Sequence, residues 1–312
     1  MKAAQFNKYG DTSVIEINEN AENPQVTAGQ ILVEVASAGI NPVESAIRNG
    51  YMQQMLPLTF PANLGGDFSG VVLLLGKDVT GFNIGDEVYG IANPFKSGSG
   101  SVAGYVVANA ASSALKPGSV SHDQAAALPL AGSSAVQAIE EHLSLQPGQK
   151  ILIHGGAGGI GSLAIMLAKS HGAFVAATVS TADVEYAKSL GADEVIDYKT
   201  QDFTALINEF DVVFDTVGGD VTNKSISVLK SGGILVSMAG QPDQELAKKL
   251  NVTALTQMTR GDTAQLDRLG ELVDEGKIKP VVDKIFPFDE AKEAYDYLET
   301  GHFRGKIVIK IK

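Results

Sequence analysis

The chain is predicted to be an α/β protein in which a doubly wound parallel sheet is joined to a smaller β-rich unit. Three observations carry that expectation. The first 121 residues read as short β-type runs separated by turns. From Ser121 onward, apolar strands alternate with helical patterns. At the head of that alternation, Lys150–Lys169 reads KILIHGGAGGIGSLAIMLAK, an apolar strand, a glycine-rich turn and an alanine- and leucine-rich helix.

In order along the chain, Ala3–Phe6, Val14–Ile17 and Ile31–Ala38 are β-type runs, followed by Gly70–Leu75, Glu87–Ile91 and Tyr105–Ala108. Turn signals at Asn23-Pro24, Gly39 to Pro42, Gly76-Lys77-Asp78 and Gly85-Asp86 separate them. Short strands at close spacing predict a compact unit, such as a partly open barrel. Lys96–Ser101, KSGSGS, is too short to link domains and reads as a mobile hairpin or surface loop. Ala125–Leu143 reads as helical, bent or interrupted at Pro129. Ile151–His154 is then the first strand of the doubly wound unit and Ile160–His171 its first helix. Phe174–Val179, Glu194–Asp197, Val212–Asp215 and Gly233–Met238 continue the strands, with Asp183–Leu190 as a helix. Valine and isoleucine are frequent in them, as in a parallel sheet covered by helices on both faces. The chain closes with helix Ala264–Glu275, strand Val281–Phe286, helix Ala291–Glu299 and strand Ile307–Ile311.

Composition removes several classes of function. A length of 312 residues, 44% hydrophobic and 19% charged, fits two globular domains with their own cores. The absence of cysteine excludes disulfides, a thiol nucleophile and cysteine-ligated zinc. A net charge of −12 with no basic stripe argues against nucleic acid or an anionic membrane as partner. No apolar run approaches the ~20 residues of a membrane span, and the N-terminal stretch lacks a signal-peptide core, so a cytoplasmic setting is expected.

The glycine-rich turn carries chemistry. Gly156, Gly158 and Gly161 satisfy G-x-G-x-x-G between a strand and a helix, the context in which the pattern binds a dinucleotide. On this reading Gly156 permits the tight turn, Gly158 lets backbone approach a pyrophosphate, and Gly161 lets the helix pack on the strand. Gly156, Ala157, Gly158, Gly159, Ile160 and Gly161 together form the phosphate cradle, the helix N-terminus adding N–H groups and partial positive charge.

Further stretches make the chain resemble the zinc-independent, quinone-oxidoreductase-like branch of the medium-chain dehydrogenase/reductases. They include Ala38-Gly39-Ile40-Asn41-Pro42-Val43-Glu44, Gly65-Gly66-Asp67-Phe68-Ser69-Gly70-Val71-Val72 and Gly85-Asp86-Glu87-Val88-Tyr89-Gly90. Ala126-Ala127-Leu128-Pro129, Gly191-Ala192-Asp193, Phe214-Asp215-Thr216-Val217-Gly218-Gly219 and Gly301-His302-Phe303-Arg304-Gly305-Lys306 complete the set. The resemblance implies a GroES-like catalytic domain from residues 1–121 and 262–312. It also implies a Rossmann NADP(H)-binding domain from residues 122–261, and a homodimer.

Where zinc-dependent members hold a catalytic metal, the corresponding positions here are Asn41 and Gly65-Gly66-Asp67, so no metal is expected. The five histidines show no metal-ligand spacing, and His122 and His154 read as structural. What remains is hydride transfer from a nicotinamide to an electrophile whose oxygen takes up negative charge. The resemblance places Asn41 near the nicotinamide as a donor, although it also fits as the residue shaping the turn before Pro42. Tyr51 could donate from the adjacent loop, but the tyrosine that the family carries in the preceding helix is Ala46 here, a departure that weakens a specific quinone assignment. Glu44 reads as a charge at a helix N-terminus.

For the cofactor, strand Phe174–Val179 runs into Ser180 and Thr181 with no acidic residue at its end, which favours NADP(H) over NAD(H). Ser180 also reads as a helix cap boxed by Asp183. The resemblance sets Tyr198 beside the adenosine phosphate, with Arg304 or Lys306 reaching it from the C-terminal segment. It sets Gly132 and Ser133 against the nicotinamide, while Val217, Gly218, Met238, Ala239 and Gly240 follow strand ends where such ligands bind. The expected activity is NADPH-dependent reduction of a quinone or another conjugated carbonyl compound. An alkenal, enone or enoyl-thioester reductase and a nucleotide-binding protein with little turnover are the alternatives.

Overall fold

A computed structural model of the chain describes residues 1–92 and 99–312, so residues 96–98 of the KSGSGS loop lie outside the described residues. The chain divides into two compact units. One comprises Met1–Leu130, Gly261–Asp274 and Pro280–Lys312; the other comprises Ala131–Arg260 and Glu275–Lys279. No helix among the described residues is long and apolar enough to cross a membrane.

The first unit begins with β1 (Ala3–Phe6), β2 (Ile15–Asn18) and β3 (Gln30–Ile40), then α1 (Pro42–Arg48) and β4 (Ala62–Asn63). It continues with β5 (Asp67–Leu75), β6 (Glu87–Ile91), β7 (Tyr105–Asn109), β8 (Ser113–Leu115) and α2 (His122–Ala126). Strand β1 lies between β2 and β4 in a small antiparallel sheet. The long β3 organises the larger sheet, pairing antiparallel with β5 and with β7. Its Ile31, Val33 and Val35 alternate inward, the period expected of a half-buried strand. Ser121 and Gln124 close a capping box that starts α2, and α2 packs on β3 and β5. A Cβ on Gly39 would come within 3.1 Å of the Ala126 carbonyl carbon, so the strand needs glycine where the helix crosses it.

Pro129 does not bend one long helix. It begins a second, α3 (Pro129–Val136), at the position where its missing N–H costs nothing. A π-helical turn, Gln137–His142, follows. The second unit then runs β9 (Lys150–His154), α4 (Gly159–Ser170), β10 (Phe174–Val179), α5 (Val184–Ser189) and β11 (Glu194–Asp197). It ends with α6 (Phe203–Leu206), β12 (Phe210–Asp215), α7 (Asp220–Ile226), β13 (Leu229–Ser237), α8 (Gln244–Lys249) and β14 (Thr253–Thr256). The six strands are parallel, in the order β11-β10-β9-β12-β13-β14. This is the 3-2-1-4-5-6 arrangement of a doubly wound dinucleotide-binding sheet, with its reversal between β9 and β12. Leu163, Ala164, Leu167 and Ala168 of α4 are buried at helical spacing.

The C-terminal segment returns to the first unit as α9 (Thr263–Asp274), β15 (Val282–Pro287), α10 (Ala291–Glu299) and β16 (Lys306–Lys310). Strand β16 pairs antiparallel with β3, Ile307 opposite Ile40 and Ile309 opposite Ala38, and β15 lies parallel to it. Helix α10 buries Ala291, Ala294, Tyr295 and Leu298 against Phe6, Phe286, Ile307 and Ile309. Each large side chain in such a cluster contributes about 1.5–3 kcal/mol.

Candidate functional site

In the second unit the chain leaves β9 at His154 and turns through Gly155–Gly158 into α4. Gly155 has φ +73°, so it, rather than Gly156, turns the chain. A Cβ on Gly156 would sit 3.0 Å from both Ala177 Cβ and Ile165 Cδ1, which makes this glycine a packing residue between helix and strand. One on Gly161 would sit 2.8 Å from the Gly155 carbonyl carbon, so the helix closes onto the turn itself. Gly155 thus makes the turn expected of Gly156, while Gly156 and Gly161 both serve close packing of the helix.

Gly158 is different. Its backbone is extended (φ −75°, ψ 176°), and only Gly155 O, at 3.5 Å, lies within 4 Å of the Cβ it lacks. No described neighbour requires glycine there, and the space beside it is open. The N–H groups of Gly159, Ile160 and Gly161 form the first turn of α4 and have no intrahelical acceptor. The cradle therefore sits where the sheet order reverses, with open space beside Gly158 at the head of the helix.

The other sheet-end residues are less uniform. Ser180 Oγ donates to Asp183 Oδ2 at 2.6 Å and Thr181 Oγ1 donates to Asp197 Oδ2 at 2.7 Å. Their protons thus go to carboxylates. Ser180 makes no side-chain cap bond, so no capping box forms. Tyr198 is 54% exposed and Lys199 Nζ stands 5.1 Å from its ring centroid, a cation at the end of β11 that the motif reading passed over. Val217 and Ala239 are exposed, Met238 and Gly240 are half-buried, and Gly218 has φ +80°. Gly132 and Ser133 lie buried in α3, and the Ser133 hydroxyl has no hydrogen-bond partner among the described residues.

In the first unit, the side chains of Asn41, Glu44, Asp67, Tyr295 and Lys306 form a buried polar cluster. Asn41, just before α1, donates from Nδ2 to Glu44 Oε1 at 3.1 Å and to Asp67 Oδ2 at 3.0 Å. Lys306 Nζ donates to Asn41 Oδ1, to Ile40 O at 2.8 Å and to Asp67 Oδ2 at 3.4 Å. Glu44 also accepts from Gly66 N at 3.0 Å and from the Tyr295 hydroxyl, and Asp67 accepts from Leu130 N at 3.1 Å. Burial drives the Glu44 pKa from 4.5 to about 7, with Asp67 adding to it and Tyr295, Lys306 and Asn41 opposing. Burial likewise raises that of Asp67 against the pull of Lys306.

Three expectations change here. Both amide protons of Asn41 are committed to carboxylates, so it organises the cluster and has no free N–H for a substrate oxygen. Lys306 faces the interior, between Asn41 and Asp67, and its ammonium is not available to a cofactor phosphate. Glu44, read as a helix-end charge, is 5% exposed and is the centre of the cluster. Its spacing of three from Asn41 was the available signal, because the third residue of a helix can reach back to its cap. Tyr51, by contrast, is 83% exposed on the turn after α1, and Arg304 is exposed, its backbone N–H donating to Asp283.

At the positions where zinc-dependent relatives bind metal, the donor set is an amide, a glycine and a carboxylate, already bridged by a lysine ammonium. A Cβ on Gly66 would approach Glu44 Oε1 to 3.1 Å, so the missing side chain admits a carboxylate.

Comparison with known proteins agrees with both halves of this description. The alcohol dehydrogenase GroES-like domain family matches residues 27–119 and the zinc-binding dehydrogenase family residues 190–309. A 2-methylene-furan-3-one reductase of Solanum lycopersicum is 40% identical over 99% of this chain and 79% of its own length. The chloroplastic NADPH-dependent alkenal/one oxidoreductase of Arabidopsis thaliana is 37% identical over the same shares. Among solved structures, the quinone oxidoreductase of Coxiella burnetii superposes with a TM-score of 0.92 at 39% identity, covering 100% of this chain and 99% of that one. Escherichia coli quinone oxidoreductase complexed with NADPH gives 0.88 at 25% identity, covering 100% of both chains. Sheet order, glycine turn and relatives together make the chain a member of the quinone-oxidoreductase-like medium-chain dehydrogenase/reductases.

Proposed function

We propose that the chain is an NADPH-dependent oxidoreductase that reduces quinones or α,β-unsaturated carbonyl compounds by hydride transfer, without metal or flavin. The observation that carries this is Gly158, a glycine facing open space at the head of α4, at the reversal of the sheet. Relatives named as NADPH-dependent alkenal/one oxidoreductase and as quinone oxidoreductase support the cofactor and the substrate class.

The residues present fit the dinucleotide. The first-turn N–H groups of α4 would hold the pyrophosphate, and the unpartnered Ser133 hydroxyl is suited to a carboxamide. Tyr198 and Lys199 would take the adenosine phosphate. Val217, Gly218, Met238, Ala239 and Gly240 complete the proposed nicotinamide side. When bound, NADPH supplies the hydride. Tyr51 is the proposed donor to the substrate oxygen, and Asn41 acts by holding Glu44, Asp67 and Lys306 in register. The metal-free reading rests on donor chemistry, since the Lys306 ammonium already supplies the positive charge between Asn41 and Asp67.

A homodimer joined along β14 is part of the proposal. That strand is a sheet edge with Leu255 partly exposed, and Met258, 82% exposed, follows it. Some relatives carry chloroplastic names, so the cytoplasmic setting also stands as a proposal.

Calorimetric titration with NADPH and NADH, followed by NADPH oxidation with a panel of quinones and of alkenals and enones, tests the reading. Binding of NADPH with turnover of either class is the expected result. Failure to bind either dinucleotide would overturn it, and binding without turnover of any electrophile would leave a nucleotide-binding protein.

A further inference from the structure

Asp215, the last residue of β12, is fully buried and, among the described residues, makes no hydrogen bond or ion pair with a lysine or arginine. Its carboxylate instead collects four donors. Val217 N at 2.9 Å and Gly218 N at 3.0 Å bond to Oδ1, while the hydroxyls of Thr222, at 2.6 Å, and Ser237, at 2.9 Å, bond to Oδ2. Burial pushes its pKa up, but these donors outweigh burial and hold it below the usual carboxylate value.

The four donors come from three pieces of the sheet end. Val217 and Gly218 form the loop after β12, Thr222 is in α7, and Ser237 ends β13. Because the Ser237 proton goes to Asp215, its lone pairs accept from Gly240 N at 3.0 Å, which ties down the loop after β13 as well. The neighbouring His154 is neutral, since burial lowers its pKa to about 4. Ser225 gives its proton to Val221 O, so Nε2 of His154 donates to Ser225 Oγ and Nδ1 accepts from Thr178 Oγ1. A neutral imidazole leaves Asp215 as the one charge in this network.

Resting on the dinucleotide reading above, we propose that Asp215 is a positioning residue for the nicotinamide half of NADPH. One buried carboxylate fixes the backbones after β12 and β13, whereas the loops after β10 and β11 are held by separate contacts of Asp183 and Asp197. A doubly wound sheet binds its dinucleotide as two mononucleotide halves on either side of the reversal. Loss of the Asp215 charge therefore falls on one half only.

The test compares two ligands on the full chain by calorimetry: NADPH, and 2′-phospho-ADP-ribose, which lacks the nicotinamide. In Asp215→Asn the new amide turns a donor toward donors, and NADPH affinity is expected to fall about tenfold while the truncated ligand changes less than about twofold. Ser237→Ala keeps the Asp215 carboxylate but removes one of its four donors together with the tie to the loop after β13, and should show the same one-sided loss, by about threefold. It decides the matter should Asp215→Asn fail to fold. Equal weakening of both ligands, or of neither, overturns the positioning role. A wild-type chain that binds neither ligand would instead overturn the dinucleotide reading.

Discussion

Replacing Gly158 by valine separates what the turn does for the protein from what it does for a ligand. The new Cβ would lie 3.5 Å from Gly155 O, with nothing else within 4 Å. An extended backbone at φ −75°, ψ 176° suits a β-branched residue. Stability is therefore expected to change by no more than about 0.5 kcal/mol, the range of substitutions away from packed features. The added methyl groups nevertheless enter the space in front of the α4 donors. A charge-assisted hydrogen bond contributes about 1.5–3 kcal/mol, so losing one weakens NADPH binding roughly 10- to 150-fold. Gly161→Ala is the counterpart. Its Cβ would meet backbone, 2.8 Å from the Gly155 carbonyl carbon and 2.9 Å from Gly156 Cα. Overpacking of that kind costs about 1–3 kcal/mol of stability. Urea denaturation and calorimetric titration of both variants provide the readings. A Gly158→Val protein that binds NADPH like wild type refutes the phosphate-approach argument, and one that unfolds refutes the open-space argument.

Other substitutions probe the remaining clusters. Lys306→Met leaves Asp67 and Glu44 buried without their cation and should destabilise the chain by about 3–5 kcal/mol near neutral pH. The loss should shrink in acid, where both carboxyls take up protons; a pH-independent loss would contradict the charge explanation. Glu44 binds its proton more tightly folded, with a pKa of about 7, than unfolded, so its contribution is full below 4.5 and is lost as pH rises toward 7. Relative to Glu44→Gln, wild type should lose about 2–3 kcal/mol between about pH 5 and about pH 8; parallel stability curves would show that Glu44 titrates normally. Asp183→Lys frees the Ser180 proton and replaces a carboxylate by a cation, so the NADPH-to-NADH affinity ratio should rise about tenfold at low salt. An unchanged ratio would place the 2′-phosphate elsewhere.

The doubly wound unit was largely legible because its signals are local. Apolar strands such as Phe174–Val179 and Glu194–Asp197 coincide with β10 and β11, and the glycine turn sits between strand and helix as its spacing predicts. Roles within the turn were less legible, since φ at Gly155 and the neighbours of Gly156 depend on strands brought alongside by the sheet. Hydroxyls are hard to read for a related reason. Ser180 and Thr181 follow the second strand of the unit, but the destination of each proton is set by Asp183 and Asp197. The Asn41 cluster was hidden because its members are far apart in the chain, with Lys306 and Tyr295 arriving more than 250 residues after Asn41.

Pairing of β16 with β3 fixes the order in which the protein can be completed. A ribosome delivers Asn41, Glu44 and Asp67 early and the ammonium of Lys306 only 239 residues after Asp67. Until then the first unit carries two carboxylates with no cation to bury beside them, and its sheet lacks the strand that borders β3. The second unit, continuous from Ala131 to Arg260 over most of its length, faces no such delay. A nascent chain interrupted before β16 would thus carry an unpaired strand edge beside two uncompensated carboxylates, and unpaired edges of that kind make incomplete chains prone to association.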